Sequence, residues 1–179
     1  SVPYFTVEGV KFYPLDGKSS QLKICKAAFD NEKLLSLQLR QPQKLAQTSA
    51  PQRTRKSKYG IKVSVPVNQN LIDFFDEYPS AYIGNNSMTR WAVYANTPLD
   101  ETAKKTLYPE LRKSISGYSQ RDAVNKILNF VQTAFEYEYD DKVWGCDRAF
   151  FAEETLHYPY ADCEDRSILF SRLVRDLMG

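Results

Sequence analysis

The sequence predicts an α+β fold in which a β-rich N-terminal module, residues 1–97, precedes a helical part, residues 98–179. Three observations predict it. Ile61, Val63, Val65 and Val67 alternate with polar residues, the period of a strand with one buried face. Ala123, Val124, Ile127, Leu128, Val131 and Phe135 recur at helical spacing, the stripe of a helix packed on a core. Between the two, near Thr97-Pro98, the pattern changes from the first period to the second.

Taken in order, Tyr4 to Glu8 and Val10 to Leu15 flank Gly9 and read as short strands, and Leu22 to Ala28 and Leu34 to Leu39 follow across Asp30-Asn31. Residues 41–58 are polar and basic, with two Pro and no apolar period, and are expected to form a long, flexible, solvated loop carrying Arg53, Arg55, Lys56 and Lys58. The strand at 61–67 comes next. Asn68-Gln69-Asn70 opens a short helix with Leu71, Ile72, Phe74 and Phe75, and Arg90 to Ala95 reads as one more strand. Asp100 is an N-cap for a helix towards Leu107 that extends past Pro109 to Ile115. Ser119 with Asp122 resembles a capping box ahead of the 123–135 stripe. A helical turn at 149–156 leads through Tyr158-Pro159-Tyr160 to a last helix from about Cys163 to Leu177, its inward face Ile168, Leu169, Leu173 and Leu177.

Composition excludes several functions. The 24 Lys+Arg against 22 Asp+Glu leave a net charge of +2, no basis for strong attraction to nucleic acid or an anionic membrane. There is no apolar run of about 18 residues, so no transmembrane segment is expected. Seven Gly form neither a P-loop nor a dinucleotide fingerprint, so no cofactor is expected. The cysteines are Cys25, Cys146 and Cys163, with no CxxC, and the sole histidine is His157; no zinc or other metal site is expected. Cys25, in a strand-like stretch, reads as a packed small hydrophobe. Glu154-Thr155-Leu156-His157 has the Glu-x-x-His spacing of di-iron bundles, but no second His exists to complete one. The Glu153-Glu154 pair reads as a capping or solvated feature, and His157 as a loop histidine.

The informative segment is Ala161-Asp162-Cys163-Glu164-Asp165-Arg166. With Asp162 as N-cap, Cys163 falls in the first helical turn, where unpaired N–H groups and the helix dipole favour thiolate, the nucleophilic form. The same N–H groups are placed to stabilise an oxyanion. Asp162, Glu164 and Asp165 oppose this, because negative neighbours favour the neutral thiol.

From Ala123 to Gly179, about a third of the chain, the sequence resembles the first part of a transglutaminase-like cysteine-enzyme core. The residues that carry the resemblance are the 123–135 helix, Tyr137-Glu138-Tyr139-Asp140, Trp144-Gly145 and Ala152-Glu153-Glu154-Thr155-Leu156. Asp162-Cys163-Glu164-Asp165, running into an apolar helix that ends Arg175-Asp176-Leu177-Met178-Gly179, completes the set. The resemblance implies a papain-like core with Cys163 as nucleophile, Asp162 and Asp165 as structural support, and Gln132, Trp144 or Tyr160 as oxyanion or pocket candidates. It implies acyl transfer at an amide of a peptide or protein substrate. Peptidase or amidase chemistry is favoured over cross-linking by analogy with bacterial-type relatives. Ala161 departs from the family's usual Gly. The family's catalytic His and Asp come after the nucleophile helix, so 1–179 reads as an incomplete core, inactive by itself, with part of an apolar helix face left to pack on the β-region or to drive association. Family habit also points to an extracytoplasmic or cell-envelope location. The competing expectation is a non-catalytic binding or structural module of the same fold.

Overall fold

The computed structural model of the chain describes residues 5–7, 10–12, 45–48, 52–77 and 87–179. Two compact units divide it, Ser1–Leu45 with Ala81–Arg90 and Ala46–Ser80 with Trp91–Gly179. In the first, β1 (Phe5–Val7) and β2 (Val10–Phe12) pair antiparallel, Val7 opposite Val10 and Phe5 opposite Phe12. The strands expected at 22–28 and 34–39, and Cys25, lie outside the described residues.

The second unit draws on both sides of residue 98. It begins with an antiparallel hairpin, β3 (Arg53–Lys56) and β4 (Lys62–Val65). The expectation of a loop throughout 41–58 is therefore corrected. The alternating strand needs a partner for its backbone, and β3 supplies one although its residues are polar. The register explains why no apolar period marks β3: Arg55 lies opposite Val63, and it alone of the four β3 residues is buried.

The helices follow their caps. Asn68 Oδ1 accepts the Asn70 N–H at 3.2 Å and starts α1 (Gln69–Asp76), which buries Ile72 and Phe75. The segment read as a strand at 90–95 belongs to α2 (Ser87–Asn96), a correction. Its aromatic and β-branched residues have strand propensity, but packing overrides it: Tyr94 is buried, with the Trp91 ring one helical turn back at 6.4 Å. Asp100 caps α3 (Glu101–Ile115) through the Thr102 N–H at 2.8 Å, and α3 runs through Pro109 as expected. Ser119 Oγ accepts the Asp122 N–H and opens α4 (Gln120–Thr133), with Ala123, Ile127, Phe130 and Val131 buried. After α5 (Asp140–Val143) and α6 (Ala152–His157), α7 (Cys163–Met178) closes the unit.

One core joins these elements. Val63 and Val65 of β4, Leu107 and Leu111 of α3, Ile127 and Phe130 of α4, Leu156 of α6, and Leu169 and Leu173 of α7 are each at most 2% exposed. Phe151 is stacked between Phe75 of α1 and Tyr94 of α2, with ring centroids at 4.1 and 4.3 Å. The inward face of α7 differs from expectation at one end: Leu177 is half-buried and Arg172 is buried. Arg172 is accepted there because it pairs with Asp176 and donates to the Asn96 carbonyl at 3.2 Å. The described structure is thus mixed α and β, with helix dominant.

Candidate active site

The α7 N-terminus is built by reciprocal bonds. Asp162 Oδ1 accepts the N–H groups of Glu164 and Asp165 at 3.0 and 3.3 Å, and Asp165 Oδ2 accepts the Asp162 N–H at 3.2 Å. Asp165 Oδ1 also accepts the Phe150 N–H at 2.7 Å, tying α7 to the segment before α6. Asp165 is buried, and desolvation pushes its carboxyl up to about 8. Both acids thus take part in the cap of α7. Asp162 occupies the Glu164 and Asp165 donors of the first helical turn, next to Cys163.

Cys163 itself is exposed and not in a disulfide. Two grooves meet at it. One, of about 280 Å³, is lined by the apolar Leu128, Val131 and Phe170 together with Gln132, Tyr137 and Arg166. The other, of about 320 Å³, lies between α2 and α7 and is lined by Trp91, Ala95, Glu164 and Ile168. Arg166 fixes the first groove. It donates to the carbonyls of Gln132 and Phe135 at 3.1 and 2.9 Å, which ends α4 against the first turn of α7. Its guanidinium carbon lies 5.1 Å from the centroid of the Tyr137 ring. The Tyr137 phenol is held above its ordinary range, first by partial desolvation and then by its neighbours Cys163, Tyr139 and Asp162.

Of the three oxyanion or pocket candidates, only Gln132 lines a groove at Cys163. Trp144 is instead a packing residue: its ring meets Phe150 and Tyr158 edge-on at 5.8 and 5.0 Å, and Arg148 lies over it at 4.5 Å. Tyr160 sits in a one-residue parallel bridge with Glu136, made by the Glu136 N–H to Pro159 O at 3.1 Å and the Ala161 N–H to Glu136 O at 2.9 Å. That bridge sets the approach of the chain to Cys163. Sequence reasoning alone does not select Tyr137 or Arg166 for the site. Arg166 has a signal there, its place one turn after Cys163, whereas Tyr137 stands in an aromatic-acidic run with nothing to set it apart from Tyr139.

His157 is not in a loop. It is the last residue of α6, buried, and its imidazole is held below its ordinary range by desolvation and then by Arg53 and Arg55. Those neighbours belong to β3, and neither groove at Cys163 includes His157. Glu153 and Glu154 are likewise buried, which corrects the solvated alternative and leaves the capping one. Glu154 Oε2 accepts the Phe151 N–H at 2.9 Å, and Glu153 Oε2 accepts the Asp100 N–H at 2.8 Å.

The surface beside the thiol is acidic. Cys163 Sγ lies within 4.8 Å of carboxylate oxygens of Asp162 and Glu164, and Asp140, Asp147 and Glu164 form a second group of the same size. These sets have the spacing to hold a cation, although Asp140 already accepts the Arg148 N–H at 2.7 Å. Cys146 is exposed and not in a disulfide. No described helix is long and apolar enough to cross a membrane. Comparison of the chain with family models, curated proteins and solved structures finds no match.

Proposed function

We propose that this chain carries the nucleophile-bearing part of a thiol-dependent acyl-transfer centre of transglutaminase-like, papain-like type, acting at an amide of a peptide or protein. The reading rests on one observation above all: an exposed Cys163 at the capped start of a core helix, at the meeting point of two apolar grooves. In the reaction the Cys163 thiolate adds to the amide carbonyl, and the Cys163 N–H, with Gln132 as the second candidate donor, faces the oxyanion. The amine leaves with a proton taken from solvent, matching the one the thiol gave up, a thioester remains, and water or a second amine releases the acyl group. Hydrolysis is the preferred outcome. His157 is not the base in this scheme, since Arg53 and Arg55 lie beside it and neither groove at Cys163 includes it. Tyr137 donates to the thiolate and orients it.

A second reading has its own support. The carboxylates of Asp162 and Glu164 crowd the sulfur within 4.8 Å, a surface that suits a basic partner group, as in a non-catalytic transglutaminase-like module that binds its partner and leaves it intact. Labelling with a peptidyl electrophile, followed by mass mapping, separates the two. The catalytic reading expects an adduct on Cys163 that forms faster than on Cys146 and disappears in Cys163→Ala. Equal labelling of both thiols, or labelling that survives Cys163→Ala, would sink it.

A further inference from the structure

The net charge of +2 conceals a segregation. Residues 33–72 contain eight Lys or Arg and no Asp or Glu, whereas residues 136–165 contain ten Asp or Glu and two cations. The described cations of the basic stretch all lie on β3, the turn at 57–60 and β4. Arg55 points inward, but Arg53, Lys56, Lys58 and Lys62 are exposed, and none of the four has a carboxylate partner among the described residues. The register sets Lys56 directly opposite Lys62. Like charges so placed repel, so the hairpin holds this pair at a cost to its own stability that an anion on the same face would remove. Next along that face, the hydroxyls of Thr54 and Ser64 meet at 3.5 Å. At the turn, Tyr59 is 65% exposed. Beside β4, Lys62 and Ser64 face Lys105 and Thr106 of α3 across a groove of about 450 Å³ that also includes Glu110, a space suited to a phosphate headgroup.

We infer that the tip and outer face of the β3–β4 hairpin form a contact surface for an anionic lipid bilayer. The arrangement is a turn that presents one aromatic side chain with a polar end among lysines, the set that settles at headgroup level. Each lysine near an anionic leaflet strengthens binding about fivefold. A single-stranded nucleic acid would call for successive aromatic stacking platforms in a groove, and this hairpin has one aromatic. The surface shares no residue with the two grooves at Cys163 and does not depend on its chemistry.

The test is co-sedimentation of the 179-residue chain with phosphatidylcholine vesicles, with and without phosphatidylglycerol, at low and at about 0.5 M salt, where the Debye length is only a few ångströms. Binding is expected to the anionic vesicles alone and to be lost at high salt. Lys56→Glu is the decisive variant. It replaces a repelling cross-strand pair by an attracting one, so it raises the thermal midpoint, yet it weakens vesicle binding about 25-fold, because one attraction is lost and one repulsion gained. Arg121→Glu, an exposed site on α4, leaves binding within about twofold. Absence of binding to anionic vesicles, equal losses in the two variants, or tighter binding to a single-stranded oligonucleotide than to the vesicles would overturn the inference.

Discussion

Arg55 of β3 grips Leu156 at the end of α6, its Nε and Nη2 donating to the Leu156 carbonyl oxygen at 3.0 and 2.9 Å. The same Nη2 reaches the carbonyls of His157 and Tyr158 at 2.7 and 2.6 Å. A helix leaves its last carbonyls without partners, and a cation at that end also meets the negative end of the dipole. The face of the guanidinium lies 5.2 Å from the Phe135 ring. Burial, and then Arg53, bring Arg55 down to about 10, so it remains charged at neutral pH. One side chain thus anchors the hairpin, the α6 C-terminus and the strand-like approach to Cys163.

Arg55→Met should therefore be costly. It strands three carbonyls and leaves nothing at the helix end, a loss of about 3–4 kcal/mol by the usual worth of hydrogen bonds to a charged group. Arg55→Lys keeps the charge but not the fork and should lose about half as much. Urea unfolding at unchanged m reads both, and a loss below about 1 kcal/mol in Arg55→Met would contradict the anchoring role.

Stability should fall as pH rises through neutrality. Burial holds the Glu153 carboxyl at about 7 instead of 4.5, and that of Asp165 at about 8 instead of 3.8. The folded chain keeps protons that the unfolded chain has already released, so the contribution is full below the unfolded values and is lost as pH rises through the folded ones. Glu153→Gln, which cannot ionise, should be more stable than the parent at pH 8 by at most about 3 kcal/mol and show little difference at pH 4. A parallel pair of stability-against-pH curves would show that Glu153 does not titrate in this way.

Tyr137→Phe addresses the groove at Cys163. Tyr137 shares the groove with Cys163, and if its phenol donates to the sulfur during attack, a hydrogen bond to a charged group of this kind corresponds to about a tenfold effect on rate. Alkylation of Cys163 by iodoacetamide should slow by that factor, with Cys146 as an internal reference. An unchanged ratio of the two rates would remove Tyr137 from the site.

The hairpin turn depends on Gly60, whose φ is +98°. A Cβ there would meet no atom within 4 Å, so any penalty for Gly60→Ala comes from the backbone alone. The expected cost is about 1 kcal/mol in the thermal or urea transition. A neutral substitution would mean that the turn relaxes to a negative φ without loss of register.

The helical caps are legible in the amino-acid order because a cap is a local exchange between one side chain and the N–H groups of the next turn. Asn68, Asp100, Ser119 and Asp162 all behave as their positions imply. The apolar stripe of α4 and the alternation of β4 are legible for a related reason, each being a period imposed by the element's own geometry. The stretch 90–95 misleads because its residues suit a strand surface, and only contact with Phe151 and the α1 core makes the helix the better arrangement.

What the sequence by itself determined is the set of elements with their own signals: caps, periods and the thiol at the head of α7. The tertiary structure decided what has no local signature. β3 exists because β4 needs a partner, Arg55 and Glu153 are buried because backbone groups far away in the sequence receive them, and Trp144 is drawn to Phe150 and Tyr158 while Tyr137 is brought to Cys163. A polar residue's burial depends on whether partners converge on it, and those partners lie tens of residues away, where neither spacing nor propensity reaches.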